Sequence, residues 1–415
     1  MARQHPAGSV SATVAALVDL AGAKIWAARQ QDLRAEIARS PRVGRALAQR
    51  HAIELVLEKL RQGAAPSPGE ARVVALAETL VQAAADLPAA GRARLRAALR
   101  AALAGPDSLI PLFHLARTAA LQQARGFAVQ FAGLAEEAPF DLLIRRNGAE
   151  AEIACDVVSA EEGRDVQRSS WVRLIDAIDP DLQRWLADHP GRYLLKLTLP
   201  QGLRGEAGGL AALHRRIHAM LAESRRADQD EAAVLRLDPL MLAAAQLGES
   251  GAGGPDGTGQ DGMAPDRVGL VSSLRREFGH QAHLAVMARG PGVFVLAARA
   301  GREDEVAAAI RRRLAALAPA RLSGTRPGIL AMFVEDTDRA EWRHLRERLE
   351  LEGEARQFLT HPAARGVVAV TCASRLELFG AGAPDAAPDG EWRFRNPAHP
   401  AAKAAGLAPA VLSSM

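Results

Sequence analysis

Residues 139–159 read PFDLLIRRNGAEAEIACDVVS, and this stretch decides the fold. Two apolar runs, 140–144 and 151–158, flank the pair Asn147-Gly148. An Asn-Gly pair between two strand-like runs is the strongest short-range signal of a tight β-hairpin. The stretch therefore predicts two adjacent antiparallel strands joined by a two-residue turn.

The hydrophobic period changes near residue 126, just before this hairpin. Apolar residues of 9–126 recur at helical spacing, and 67–70 has the serine, proline and glutamate of a helix start. After residue 126, strand-like and helix-like runs alternate. The predicted elements are a strand at 127–131, the hairpin, a helix at 166–187, a strand at 193–199, a helix at 210–223 and a strand at 232–237.

A Gly-rich stretch, 249–262, has the composition of a flexible linker. Beyond it the sequence predicts a hairpin at 284–297, a helix at 302–317, a strand at 328–334, a helix at 339–359 and a strand at 366–372. The fold class is therefore α/β, with an N-terminal all-helical region. The predicted division is a helical region at 1–107, an α/β core at 108–247, a linker at 248–265, a C-terminal α/β region at 266–396 and a loose tail at 397–415.

Composition and charge exclude several classes of protein. Of the 415 residues, 48% are hydrophobic and 24% are charged, which excludes a chain disordered along most of its length. Aromatic residues make up only 4%, so few rings are present to stack on single-stranded nucleic acid. The net charge is +4, but residues 1–120 hold 16 basic and 9 acidic side chains, a net +7. Any attraction to DNA or RNA is therefore expected in the N-terminal helical region.

Cysteine and histidine residues give weak signals. Cys155 and Cys372 each lie in an apolar run, which indicates buried thiols in a reducing compartment. His214 and His218 are four apart, a zinc-compatible spacing, but further ligands are lacking and a surface pair is favoured. With neither a signal segment nor an apolar run long enough to cross a membrane, the sequence predicts a cytoplasmic protein without a membrane partner.

Three acidic residues of the hairpin form the main candidate site. Glu152 and Asp156 share one face of their predicted strand, and the turn can bring Asp141 near them. Converging carboxylates are the ligands that Mg²⁺ or Mn²⁺ prefers, and metal-dependent phosphodiesterases need them. The alternatives are that Asp141 caps a turn and that Glu152 and Asp156 lie on a solvated strand face.

The hairpin resembles the PD-(D/E)XK, or restriction-endonuclease-like, superfamily, and more narrowly bacterial nuclease-like proteins. Pro139-Phe140-Asp141 matches the first half of the motif, while Glu152, Cys155 and Ser159 match the second half. The resemblance covers roughly residues 108–240. It implies a sandwich core of helix, three strands, helix and strand, with Asp141 as a metal ligand. Gln167 and Trp171 are similar to the glutamine and aromatic residue that support the site in some members.

The chain departs from this motif at two positions. Ala154 stands where the family has its second acid, and Asp156 stands where it has its lysine. Lys196, on the predicted strand 193–199, could supply the lysine from a neighbouring strand. The alternation of that strand favours instead an outward-facing residue with no role in catalysis.

Three functions follow as expectations. The first is a degenerate nuclease-like protein that binds nucleic acid or a protein partner, with little or no phosphodiester cleavage. The second is a scaffold or adaptor without a nucleic-acid role. The third is an active metal-dependent nuclease, with Asp141, Glu152 and Asp156 as ligands and Lys196 as the displaced catalytic lysine.

Overall fold

The computed structural model describes residues 7–240, 274 and 283–414. The chain forms two units: the first comprises Met1–Ala38, Leu47–Gly163 and Val306–Met415, and the second comprises Arg39–Ala46 and Arg164–Glu305. The longer segment of the second unit is thus inserted into the sequence of the first. The sequence-based division follows chain order and does not contain this interleaving. The predicted linker, 248–265, lies outside the described residues.

Helices make up the described chain as far as residue 124, and strands alternate with helices after it. The α-helices are α1 (Ala7–Ala21), α2 (Ala23–Arg39), α3 (Pro41–Arg50), α4 (Ala52–Arg61), α5 (Pro68–Asp86), α6 (Ala89–Ala104), α7 (Ile110–Ala124), α8 (Ala132–Glu136), α9 (Arg168–Asp188), α10 (Ala207–Ala222), α11 (Val306–Arg321), α12 (Arg339–Glu347), α13 (Glu350–Leu359), α14 (Arg375–Phe379) and α15 (Ala408–Val411). The strands are β1 (Ala128–Gln130), β2 (Leu142–Arg146), β3 (Ala149–Ser159), β4 (Arg192–Leu199), β5 (Ala227–Gln229), β6 (Val234–Pro239), β7 (His283–Arg289), β8 (Gly292–Ala300), β9 (Gly328–Glu335), β10 (Val367–Ser374) and β11 (Trp392–Arg395). Mixed α/β structure with an N-terminal helical region is therefore confirmed.

Local signals at two turns are confirmed. Helix α5 begins with a capping box, because the Ser67 side chain accepts from the Glu70 backbone and the Glu70 side chain accepts from the Ser67 backbone. Strands β2 and β3 pair antiparallel, and Asn147 and Gly148 between them have φ of 48° and 76°. Positive φ at both central residues is what a type I′ hairpin turn requires.

The first unit contains a six-stranded sheet in the order β1-β2-β3-β9-β10-β11. The first three strands form an antiparallel meander, β3, β9 and β10 are parallel, and β11 is antiparallel to β10. Helices α11, α12 and α13 cover one face through Leu314, Trp342 and Phe358. Helix α7 covers the other face, beside which the N-terminal helices pack their own core.

The C-terminal segment differs from its prediction. The sequence predicts a loose tail from residue 397, but Leu407, Ala410 and Val411 are buried against the α7 face of the first sheet. The predicted single helix 339–359 is likewise two helices, α12 and α13. Leu349 between them has φ of 58°, and this left-handed residue ends the first helix.

The second unit contains a five-stranded sheet in the order β5-β6-β4-β8-β7. Its core includes Trp171, Leu182 and Ile217 of α9 and α10. The predicted hairpin of β7 and β8 is confirmed, since the two strands pair antiparallel. The expectation that β4 neighbours β3 is wrong: β4 lies between β6 and β8, whereas β3 lies between β2 and β9.

None of the described helices is by itself long and apolar enough to cross a membrane. Residues 10–21 and 23–39, which are bent by 100° at their junction, meet the length and composition criterion only as a pair.

Candidate functional site

The three acidic residues of the hairpin lie together at the β2–β3 pair. Glu152 and Asp156 are on the face of β3 that α11 covers, separated by Ala154, which packs into the core beneath α11. Asp141 directly precedes β2; its backbone N–H donates to the Ile153 carbonyl at 3.0 Å. Its Oδ2 accepts the backbone N–H of Cys155 at 2.7 Å. The geometry expected from the sequence, with two acids on one face and Asp141 beside them, is therefore present.

Asp141 is held by an arginine at the end of α11. Arg321 Nη2 donates to Oδ1 and Oδ2 of Asp141 at 2.8 and 2.9 Å, while Arg321 Nε donates to the Pro139 carbonyl at 2.6 Å. Burial raises the pKa of Asp141, and the negative charge of Asp156 adds to this, against the opposing effect of Arg321. In the folded chain, Arg321 and the Cys155 N–H therefore offset only part of the free energy that burial costs the charged form of Asp141.

Glu152 is the most buried member of the site, with 0% of its surface exposed. Ser323 donates to its carboxylate from both the backbone N–H, at 2.9 Å, and the hydroxyl, at 2.5 Å. Arg326 Nη1 lies 3.4 Å from Oε1. The alternative of a solvated strand face is therefore wrong for Glu152, whose carboxylate is satisfied by the loop that follows α11.

Asp156 pairs with Arg313, on the middle of α11. The guanidinium donates from Nε and Nη2, the latter at 3.1 Å, to the two carboxylate oxygens. The hydrogen bond to Asp156 raises the pKa of Arg313. Beside this pair, Glu162, Ala309, Arg312, Arg313 and Ala316 line a groove of about 230 Å³.

Sequence reasoning missed the basic half of this site. Arg313, Arg321, Ser323 and Arg326 all belong to residues 306–327, which follow the inserted unit in sequence. The only signal for them is the density of arginines in α11, and arginines on a helix are ordinary in this chain. Their partnership with the hairpin follows from the parallel pairing of β9 with β3, which places α11 over β3.

The arrangement does not fit a Mg²⁺ or Mn²⁺ centre. Each of the three carboxylates already accepts hydrogen bonds from a guanidinium or from Ser323. Among the described residues no group of three or more His, Cys, Asp and Glu side chains is arranged to hold a metal ion. Strand β3 also carries no lysine, the residue that such a centre uses to position water.

Lys196 lies elsewhere. It is on β4 in the second sheet, its Nζ is 3.1 Å from Asp238 Oδ2, and its side chain is 40% exposed. The same unit contains Gln167, the residue that precedes α9, and Trp171, which is buried in that unit's core. The residues that match the family motif are thus divided between two units.

The cysteines and the histidine pair complete the predicted candidates. Burial raises the pKa of Cys155 and of Cys372, as expected of inert thiols. Cys372 is fully buried, whereas Cys155 is half-buried. His214 Nε2 contacts Asp181 Oδ2 at 2.8 Å, and the described residues show no joint site with His218.

The basic N-terminal region uses several arginines internally. Arg92, Arg94 and Arg100 of α6 donate to the carbonyls of Ala84, Leu134 and Ala21, at 2.8, 2.8 and 3.2 Å. Those carbonyls lie near the C-terminal ends of α5, α8 and α1, where backbone carbonyls have no intrahelical N–H donor. These guanidinium groups therefore connect α6 to α5, α8 and α1.

Comparisons with known proteins give no match: neither a family model, nor a curated protein, nor a solved structure is similar to the chain.

Proposed function

We propose that this is a degenerate nuclease-like protein, with little or no phosphodiester cleavage, that acts by binding nucleic acid or a protein partner. The observation that carries the proposal is the state of the three acids at the motif positions. Asp141, Glu152 and Asp156 are gathered at one place, yet each is engaged by groups from 306–327. The three acids of the candidate site therefore hold α11 and its loop onto the sheet.

Element order supports the nuclease-like part of the proposal. The resemblance implies a core of helix, three strands, helix and strand. In the first unit α7, the β1–β2–β3 meander, α11 and β9 follow in that order, with residues 164–305 inserted after β3. In the proposed core, α11 and β9 serve as the second helix and the fourth strand, in place of the α9 and β4 segments chosen from sequence alone.

The charge arrangement supports the loss of cleavage. Metal-assisted hydrolysis needs carboxylate oxygens on the metal ion and a group that can position or deprotonate water. Arg313 and Arg321 occupy the carboxylate oxygens that would bind the metal ion. An arginine is also a poor proton acceptor and donor because it stays protonated in proteins. Breaking a partly buried carboxylate–guanidinium pair to admit a metal ion also leaves the guanidinium without its partner.

The test is a cleavage assay on the full chain with single-stranded and double-stranded DNA and RNA, in Mg²⁺ and in Mn²⁺. We expect no cleavage above that of a matched Asp141→Asn preparation. Cleavage that requires Mn²⁺ and disappears in Asp141→Asn, but not in the control Asp238→Asn, would overturn the proposal. Because Lys196 is paired with Asp238 within the second sheet, Lys196→Met is expected to leave the assay unchanged.

A second candidate function, a scaffold or adaptor with no nucleic-acid role, is favoured by the arginines of α6. Three of the basic side chains that make the N-terminal region positive are bonded to helix-end carbonyls. Electrophoretic mobility shifts at two salt concentrations separate the candidates. Nucleic-acid binding falls steeply with salt as counterions are released, whereas a scaffold gives no shift at either concentration.

A further inference from the structure

A groove of about 390 Å³ lies between α2 and α4 in the N-terminal helical region. The residues that line it recur every three or four positions and so share one face of each helix. They are Ala27, Gln30, Gln31 and Arg34 of α2, with Glu58 and Arg61 of α4. The volume is that of a small-molecule site, since ligand pockets measure about 300–1,000 Å³.

The carboxylate of Glu58, a residue that is 5% exposed, is fully used by donors of the chain. Oε1 accepts from Arg61 Nη2 and Gln62 Nε2, both at 2.9 Å, and from Arg34 Nη2 at 3.5 Å. Oε2 accepts from Arg61 Nε at 2.8 Å and from Trp26 Nε1 at 2.9 Å. Five donors thus face the roughly four lone-pair sites of one carboxylate. Glu58 therefore anchors two guanidinium groups at the groove and has little capacity left to accept from a ligand.

This anchor is permanent near neutral pH. The hydrogen bond from Arg61 is the main cause that lowers the pKa of Glu58 to about 2, and hydrogen bonds from Trp26 and Gln62 act in the same direction against burial. Glu58 is therefore ionised wherever the chain is studied near neutrality. The bidentate pair with Arg61 holds that guanidinium in one orientation.

The two arginines retain donors that face solvent. Arg34 uses only Nη2, and Arg61 uses Nε and Nη2, so Nε and Nη1 of Arg34 and Nη1 of Arg61 have no hydrogen-bond partner among the described residues. The Arg34 and Arg61 side chains are 58% and 47% exposed. Two guanidinium groups and one carboxylate give the lining a net charge of +1. The groove thus offers accessible donors and a positive charge.

The C-terminal end of α4 does little to oppose an anion here. Arg61 is the last residue of α4, where a helix usually presents unpaired carbonyls and a partial negative charge. The carbonyls of residues 58–60 instead accept from backbone N–H groups of residues 62–64, at 3.0–3.4 Å. These hydrogen bonds reduce the negative field at the groove.

We propose that Arg34 and Arg61 bind the phosphate group of a small ligand in the groove between α2 and α4. Guanidinium N–H groups make charge-assisted hydrogen bonds to phosphate oxygens. A phosphate group offers three terminal oxygens and a charge of about −1.5 to −2, which suits two guanidinium groups from different helices better than one carboxylate does. Because Glu58 already fixes Arg61, that side chain loses little freedom on binding. The phosphate belongs either to the free inorganic ion or to a phosphomonoester, and the site does not depend on the proposed nuclease-like function.

The test is equilibrium dialysis of the full chain with inorganic phosphate, and with glycerol phosphate as a phosphomonoester, in chloride buffer at matched ionic strength. We expect saturable binding that weakens at least tenfold in Arg34→Met. Arg34 makes one 3.5 Å contact from an exposed side chain, so this variant should fold like wild type. Arg96→Met, which removes an exposed arginine of α6, is the matched control and should bind like wild type. Equal affinity for the two probes indicates the free ion, whereas tighter binding of the ester indicates a phosphomonoester.

Thermal unfolding supplies a second readout. Phosphate should raise the midpoint of wild type in a saturable way, because a ligand of the folded state stabilises it. The rise should be absent in Arg34→Met and smaller in Arg61→Lys, which keeps the charge but lacks the planar fork. A rise of equal size in wild type and Arg34→Met would be a general salt effect and would overturn the proposal. Equal weakening of binding in Arg34→Met and Arg96→Met, or no saturable binding of either probe to wild type, would overturn it as well.

Discussion

A single nitrogen of Arg321, Nη2, lies 2.8 and 2.9 Å from the two carboxylate oxygens of Asp141, although 180 residues separate them in sequence. Arg313 makes the corresponding pair with Asp156 over a separation of 157 residues. Between these partners the chain leaves the first unit and returns to it. The pairs therefore fasten the returning helix α11 to the hairpin that precedes the insertion.

The pH dependence of stability should report Asp141. Because its pKa is raised in the folded chain, protonation favours the folded state: its contribution is fully present below the unfolded pKa, about 3.8, and is lost as pH rises through the folded pKa. Asp141→Asn resembles the protonated form, so we expect it to remove this loss. Urea unfolding at about pH 3.5, below the unfolded pKa, and at about pH 8 should show a smaller decline in Asp141→Asn than in wild type. An identical decline would mean that Asp141 does not titrate in this way.

Ser323 should contribute to stability out of proportion to its exposed loop position. It supplies two hydrogen bonds to a carboxylate that is 0% exposed. Ser323→Ala keeps the backbone donor but leaves Glu152 Oε1 dependent on Arg326, and we expect a loss of about 1–3 kcal/mol in the free energy of unfolding. Thr79→Ala, which removes an exposed hydroxyl that donates to the Ala75 carbonyl of its own helix, should change it by no more than about 0.5 kcal/mol. Equal losses in the two variants would contradict the assignment.

The effect of Mn²⁺ on the thermal midpoint should depend on Arg313 and Arg321. In wild type these two arginines are paired with the carboxylates of Asp156 and Asp141, so millimolar Mn²⁺ should leave the midpoint unchanged. The double variant Arg313→Ala/Arg321→Ala releases Asp141 and Asp156, and Mn²⁺ should raise its midpoint because a ligand of the folded state stabilises it. Arg311→Ala, also on α11, breaks a pair with Glu354 of α13; it is the control and should show no such rise. A Mn²⁺-dependent rise in wild type would instead indicate a functional metal site.

The sequence predicts the turn of the β2–β3 hairpin but does not predict the strand that pairs with β3 on its other side. Asn147-Gly148 fixes a type I′ turn, and the turn fixes the register that puts Glu152 opposite Leu143. Pairing of β3 with β9 depends on residues more than 160 positions apart, across an inserted unit that has a sheet of its own. Chain order suggested β4 as the neighbour of β3, because sequential strands usually lie side by side.

Dependence on segments far apart in sequence also explains why the arginines of the candidate site were not predicted. The alternation on β3 correctly placed Glu152 and Asp156 on one face, since that depends only on the strand's period. Whether those acids face water, a metal ion or an arginine depends on what covers them. Nothing in residues 139–159 indicates that α11 will do so, or that Lys196 will fold into the other sheet.

The arginines of α6 provide a test that separates structural from electrostatic roles. Arg94 donates to the carbonyls of Leu134 and Ala135 at the end of α8, at 2.8 and 2.9 Å, whereas Arg96 is exposed. Arg94→Ala should therefore lower the free energy of unfolding by about 1–3 kcal/mol because it leaves helix-end carbonyls without donors. Arg96→Ala should change it by less than about 0.5 kcal/mol.

Nucleic-acid binding by the same two variants completes this comparison. Each substitution removes one positive charge, so a diffuse electrostatic attraction would weaken equally in both and would lose about one unit of salt slope. If α6 instead serves only to connect helices, denaturant unfolding will separate the variants while mobility shifts will not. An Arg96→Ala variant that unfolds like wild type but binds DNA or RNA much more weakly would identify the exposed side of α6 as the binding surface.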